Sequence, residues 1–180
     1  MRRVVLIGFM GAGKTTVGHA LAKRLRWTFC DLDDVIEQRE RQSVPEIFAA
    51  SGEAGFRRIE STALRDLLQN DAGASASDLV LALGGGAFVQ AENRLVLDQA
   101  GAITVLLEAP LEELRRRCQG ERKMRPLAQQ DERFAELFAA RRADYELARF
   151  HVQTLDRSVE QVAAEVEQLL KAVTKAEVEK

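Results

Sequence analysis

Three short, mainly apolar stretches, 4–7, 79–83 and 103–107, punctuate the chain. None alternates polar with apolar, so each predicts a strand buried on both faces, as in a parallel sheet. Residues 27–30 (Trp-Thr-Phe-Cys) form a weaker fourth candidate and residues 151–154 (His-Val-Gln-Thr) a fifth. Between them the apolar positions recur at helical spacing. Residues 14–26 carry Val17, Leu21 and Leu25, and residues 53–69 carry Phe56, Ile59, Ala63 and Leu67. Residues 158–173 carry Val159, Val162, Val166, Leu169 and Leu170, with Ser158 placed as an N-cap. Strands alternating with helices predict βαβ units and an α/β fold with both sheet faces covered. Residues 71–78 are small and polar and read as a surface loop. Residues 119–131 are charged, contain Gly120 and Pro126, and read as a second loop, for which a mobile lid is one use. The apolar stripe fades from about residue 171, so a single domain is expected over 1–172, with a lid at about 118–131 and a frayed tail at 173–180.

Composition narrows the class. The chain has 180 residues and a mass of 20.0 kDa, the size of one domain able to bury a core without disulfides. With 46% apolar and 30% charged residues it is not a disordered chain. A net charge of −2 gives no bias towards nucleic acid or membrane. Cys30 and Cys118 match no metal-site spacing and suit a reducing compartment. No segment approaches the apolar length of a bilayer span, and Met-Arg-Arg followed by a short apolar run is no secretory signal. The expectation is a cytoplasmic protein, a monomer or small oligomer with the monomer preferred, and no nucleic-acid or membrane partner.

One motif raises the reading above that. Residues 8–15, Gly-Phe-Met-Gly-Ala-Gly-Lys-Thr, match G-x-x-x-x-G-K-[ST] in full, after a predicted strand and before a predicted helix. The glycines let the backbone wrap with its N–H groups inward, and the helix N-terminus adds to this anion cradle. Lys14 would reach the β- and γ-phosphates, and the Thr15 hydroxyl would ligate Mg²⁺. No Asn-Lys-x-Asp motif is present, as a GTPase requires, and Asp98-Gln99-Ala100-Gly101 reads as a helix end rather than a switch. The chain is also short for a mechanical ATPase. A small kinase remains.

Candidate acceptor groups follow. Asp31 and Asp33 come after the weak second strand, and ligands of parallel sheets lie at strand carboxyl ends. Two residues apart on extended backbone, they would point to one side, with Asp34 starting the next helix as a cap. Such a pair could hold Mg²⁺ through water, or accept a hydroxyl and its proton, or simply be an acidic helix start. Leu83 is followed by Gly84, Gly85 and Gly86, a run suited to close approach of backbone to a ligand. Arg57-Arg58 lies on a helix whose geometry lets one of the two face a site, where Arg could grip a carboxylate bidentately.

Together these residues resemble the shikimate kinase family. The elements appear in family order: GFMGAGKTT, DLD at 31–33, SVPEIFAASGEAGFRRIE at 43–60, LGGGA at 83–87 and Arg125-Pro126-Leu127. The resemblance spans about residues 3–170. It implies a five-stranded parallel sheet flanked by helices, a P-loop kinase fold close to the nucleoside monophosphate kinases, with a mobile lid. It implies transfer of the ATP γ-phosphate to the 3-hydroxyl of shikimate, with Mg²⁺, on the route to chorismate and the aromatic amino acids. By that resemblance Gly11, Ala12, Gly13, Lys14, Thr15 and Thr16 hold ATP, and Arg117 stacks near adenine. Thr15 and Asp31 serve the metal, the latter through water. Asp33 holds the hydroxyls and is the candidate base; Arg57 clamps the carboxylate; Gly84, Gly85 and Gly86 line the pocket. Arg125 is the lid residue, which would touch both ATP and the transferred phosphoryl.

Two departures stand out. The family's second clamp has a pattern like Arg-x-Pro-Leu-Tyr, whereas this chain reads Arg141-Arg142-Ala143-Asp144-Tyr145. Arg141 keeps the spacing to Tyr145 and takes the assignment, though the altered pair leaves Arg141 and Arg142 as alternatives. The segment 156–158, expected near adenine, lacks a proline often found there. His19 is expected in solvent, His151 at a helix end or strand start, and Trp27 and the eight Phe in the core, with Phe48 and Phe56 beside the acceptor pocket. The other readings are a kinase of another small hydroxy acid such as gluconate, and a nucleotide-dependent regulatory module with a degenerate acceptor site.

Overall fold

The structure, a computed structural model, describes residues 2–69, 78–120 and 131–178. Five strands form one all-parallel sheet in the order β2-β3-β1-β4-β5. They are β1 (Arg3–Ile7), β2 (Thr28–Asp31), β3 (Leu79–Ala82), β4 (Ile103–Glu108) and β5 (Phe150–Gln153). β1 is central: Val5 pairs with Leu81 on one side and Thr104 on the other. Residues 4–7 are at most 1% exposed, which explains why this strand carries no polar alternation. The predicted second strand is shifted by one residue. Trp27 still closes the preceding helix through its N–H to Ala22 O, and pairing starts at Thr28.

The helices are α1 (Lys14–Leu25), α2 (Leu32–Glu40), α3 (Val44–Gln69), α4 (Ala91–Gln99), α5 (Leu111–Gly120), α6 (Asp131–Tyr145) and α7 (Val159–Val178). α1 packs on α7 and on β1, β2 and β3, while α3 packs on α2 and α4. The helical pattern seen at 53–69 belongs to the longer α3, which bends at Gly52, where φ is 65° and ψ −178°. A side chain there would meet nothing within 4 Å, so the backbone angle and not crowding favours glycine. Ser158 caps α7 as predicted: its Oγ accepts from Gln161 N at 3.2 Å, and Gln161 Oε1 accepts from Ser158 N at 2.8 Å. The stripe of α7 reaches Val173, which is buried, and residues 173–178, expected as a tail, continue the helix. Of the two expected loops, residues 70–77 and 121–130 lie outside the described residues. Among the described residues no helix is long and apolar enough to cross a membrane.

Candidate active site

The strand order puts the loop after β1 beside the turn after β3, at the carboxyl edge of the sheet. Gly11 shows what the first loop requires. Its φ is 77°, and a Cβ there would lie 2.5 Å from Leu114 O and 3.0 Å from Cys118 Sγ, because α5 rests on the loop. Lys14 Nζ donates to Gly8 O at 2.9 Å and Phe9 O at 3.1 Å, which holds the ammonium along the inside of the loop. Gly11, Gly13, Lys14, Thr15 and Thr16 line a cleft with Met10, Asp31, Asp33, Leu83 and Cys118. Ala12 is buried beneath it.

Asp31 ends β2 and caps α2: its Oδ1 accepts from Asp33 N at 3.1 Å, and its Oδ2 accepts from the Thr15 hydroxyl at 2.8 Å. This corrects the expected arrangement. The cap is Asp31 rather than Asp34, and Asp33 lies in the first turn of α2 rather than on extended backbone. The two carboxylates still line one cleft, through a helix start instead of strand alternation. A hydroxyl and a carboxylate so close fit a hard cation that takes oxygen ligands.

The glycine turn is where the acceptor groups meet. A Cβ on Gly84 would lie 2.7 Å from Asp33 Oδ1 and 3.1 Å from Glu60 Oε1. On Gly85 it would lie 3.2 Å from Arg141 Nη1 and 3.6 Å from the Tyr145 hydroxyl, and on Gly86 2.2 Å from Arg57 Nη2. Any side chain here would displace a polar group, which accounts for the run of three glycines. Arg57 is half-buried and donates to Glu60 Oε2 at 2.8 Å, while Arg58 is exposed, so one of the pair faces the glycine turn, at Gly86, and the other faces solvent. Phe48 and Phe56 stack at 4.4 Å between centroids, with the Arg57 guanidinium 5.4 Å from the Phe56 ring.

Arg141 points inward, 5.9 Å from the Phe9 ring, while Arg142 is exposed and faces Glu146 at 3.7 Å. The Ala143-Asp144 departure is accommodated because Asp144 pairs with Arg94 at 2.9 Å. The Tyr145 hydroxyl donates to Gly85 O. Burial pushes its pKa up to about 12, against the pull of the Arg141 guanidinium.

On the other flank, Arg117 donates to Thr154 Oγ1 at 2.9 Å and Thr154 O at 3.0 Å, which ties α5 to the segment after β5. It also donates to Glu113 at 2.7 Å, and the Arg116 and Arg117 hydrogen bonds bring the Glu113 carboxyl down to about 2. Arg125 lies outside the described residues. His19 is exposed, with its ring 4.0 Å from that of Phe29, and His151 is exposed near Glu108 and Glu146.

Sequence reasoning missed Glu60 and Gln90. Glu60 is fully buried, binds Arg57, and accepts from Gln90 Nε2 at 2.9 Å. Its Oε1 has no hydrogen-bond partner among the described residues. Burial raises its pKa despite the opposing pull of Arg57. The spacing of Arg57 and Glu60, three apart on a helix, was a readable signal. Gln90 left none, since only folding brings it to α3. Chemically, the arrangement offers a polyphosphate cradle, two carboxylates beside it, and two guanidiniums beyond them that can hold a small anion.

Residues 10–171 match the sequence profile of the family described as Shikimate kinase. The chain is 41% identical over 169 residues to a shikimate kinase of Geobacter metallireducens, covering 92% of this chain and 90% of that one. It is 38% identical over 174 residues to a shikimate kinase of Enterococcus faecalis, covering 95% and 99%. The solved structure of shikimate kinase from Acinetobacter baumannii in complex with shikimate superposes with a TM-score of 0.84 at 37% identity, over 96% of this chain and 94% of that one. A gluconokinase from Sinorhizobium meliloti superposes with a TM-score of 0.63 at 15% identity, covering 97% of each chain, a likeness of fold alone.

Proposed function

The chain belongs to the shikimate kinase family, and from that premise we propose that it phosphorylates the 3-hydroxyl of shikimate with ATP, in the biosynthesis of chorismate and the aromatic amino acids. The observation that carries this reading is the convergence of Asp33, Arg57 and Arg141 on the Gly84–Gly86 turn beside the loop of Lys14 and Thr15. A hydroxylated carboxylic acid needs those groups: guanidiniums for its carboxylate and a carboxylate for its hydroxyls.

Gly11, Ala12, Gly13, Lys14, Thr15 and Thr16 cradle the phosphates of ATP, and Arg117 flanks the adenine. Lys14 stabilises charge on the phosphoryl being transferred, whose loose transition state spreads that charge over three oxygens. Thr15 and Asp31 would hold Mg²⁺, which supplies further charge neutralisation. Asp33 orients the acceptor hydroxyl and takes its proton as the new oxygen–phosphorus bond forms. The bond from the γ-phosphorus to the bridging oxygen breaks, and ADP leaves. Arg57 and Arg141 clamp the shikimate carboxylate so that the hydroxyl faces the phosphate, with the backbone of Gly84, Gly85 and Gly86 as the pocket wall. Arg125 keeps its expected role as the lid cation by resemblance alone. We read residues 1–172 as one kinase domain, with a lid at about 118–131, acting as a cytoplasmic monomer.

The test is ADP release with ATP and Mg²⁺ in the presence of shikimate, quinate, gluconate or nucleoside monophosphates. Stimulation by shikimate and not by the others is expected. Stimulation by gluconate alone would retain the phosphate cradle and overturn the acceptor assignment; stimulation by none would favour a regulatory module.

A further inference from the structure

We propose that Arg94 and Asp144 form a positioning pair for shikimate binding, joining α6 to the glycine turn so that Arg141 is held in register with Gly85. The inference rests on the proposed reading of Arg141 as a carboxylate clamp. The two halves of the acceptor face come from separate parts of the chain: the turn at 84–90 supplies the backbone, and α6 supplies Arg141 and Tyr145. Something has to fix one against the other.

Tyr145 gives a first point of attachment through its hydroxyl on Gly85 O. Phe134 and Phe138 pack edge-on against Phe9 at 5.0 and 5.3 Å and seat the body of α6, but its carboxyl end then has this one polar tie, and a small rotation there would swing Arg141, one helical turn away, off the clamp position. Arg94 gives the second point. Its Nη1 lies 2.8 Å from Phe88 O, 2.7 Å from Val89 O and 2.9 Å from Asp144 Oδ1. One guanidinium therefore closes the far end of the turn and grips α6 at the residue next to Tyr145. The turn is itself held from α4 by buried Asn93, whose Nδ2 donates to Ala87 O at 2.9 Å. The Arg94 and Asp144 side chains are 23% and 29% exposed, shielded more than a surface pair, so the contact should hold its geometry. Neither residue lines the cleft with Asp33 and Lys14, so they act through Arg141 and not on the reacting atoms.

The experiment is steady-state kinetics of the full chain for Asp144→Ala, Asp144→Asn, Arg94→Met, the double variant Arg94→Met/Asp144→Ala, and Arg141→Ala as the control for the clamp. Asp144→Ala and Arg94→Met should each raise KM for shikimate about tenfold, with kcat and KM for ATP within about twofold of the parent. The double variant should be no worse than the poorer single one, because both remove the same link. Asp144→Asn, which keeps an acceptor oxygen, should recover most of the affinity. If Asp144→Ala does not fold, Arg94→Met carries the test, since it removes the one nitrogen that meets all three acceptors, and the same rise is expected. A KM for shikimate unchanged in the folded Asp144 and Arg94 variants, while Arg141→Ala raises it, overturns the positioning role and leaves the clamp standing. Equal losses in kcat and in both KM values would overturn it as well, as a general structural defect. An unchanged KM in Arg141→Ala overturns the clamp reading and this inference with it.

Discussion

A methyl group added at Gly86 would sit 2.2 Å from Arg57 Nη2. The atoms in its way belong to the Arg57 side chain, whose guanidinium pairs with buried Glu60, so yielding weakens that pair. We therefore expect Gly86→Ala to destabilise the protein by about 1–3 kcal/mol and to raise KM for shikimate about tenfold, a clamp displacement of about 1.4 kcal/mol. Thermal melts beside initial-rate kinetics check both halves. At Gly84 the obstructing atom is Asp33 Oδ1, 2.7 Å away. That carboxylate is the proposed proton acceptor, so Gly84→Ala should lower kcat more than it raises KM. Lys14→Ala should remove turnover while leaving the melting temperature near that of the parent, because the bonds Lys14 makes to Gly8 O and Phe9 O lie within one loop. Retained turnover would show that charge at the transferred phosphoryl is stabilised from elsewhere.

Between elements, the contact that matters most for the phosphate site is α5 resting on the loop after β1. Gly11→Ala combines a positive φ with a Cβ 2.5 Å from a backbone oxygen, Leu114 O, which cannot rotate away. Overpacking of this kind costs about 1–3 kcal/mol, and relief requires α5 to shift. The expected result is a lower denaturant midpoint together with weaker ATP binding, read by urea unfolding and an ATP titration. The cap on α7 is a milder case. Ser158→Ala removes the oxygen that accepts from Gln161 N and should destabilise the protein by about 1 kcal/mol, with kinetics unchanged.

Taken as a whole, the molecule should be sensitive to acid. Ser43 hydrogen bonds lower the pKa of Glu46, those of Arg116 and Arg117 bring Glu113 to about 2, and those of Lys171 and Arg24 lower Glu167. For Asp78 burial pushes upward, but the backbone N–H and side chain of Arg2 outweigh it. Each carboxyl binds its proton less tightly folded than unfolded. Their stabilisation is thus present above the ordinary carboxylate range and is lost as pH falls through the lower folded values. Glu60 runs the other way: its raised value favours the folded state below the ordinary range, and that contribution is lost as pH rises through it. Four groups oppose one, so the melting temperature should fall between about pH 5 and pH 2. Glu167→Gln should flatten that slope, because Glu167 links Arg24 on α1 to Lys171 on α7.

What the sequence by itself determined was local. The continuous apolar runs marked the central strands because burial on both faces removes polar alternation, and the loop at 8–15 announced phosphate binding because glycine spacing dictates backbone shape. Ser158 was legible as a cap for the same reason: its partner is three residues away. Tertiary structure decided which distant groups meet. Asp31 became the cap of α2 because β2 ends one residue later than the pattern suggested, and this turned Asp33 onto a helix. Arg141 rather than Arg142 faces the turn because α6 is fixed there by Tyr145 and Asp144. Glu60 and Gln90 became partners only when α3 packed beside the turn after β3. Residue spacing encodes contacts within a turn or two of chain, whereas contacts between elements depend on how buried faces pack, and a single sequence does not spell that out.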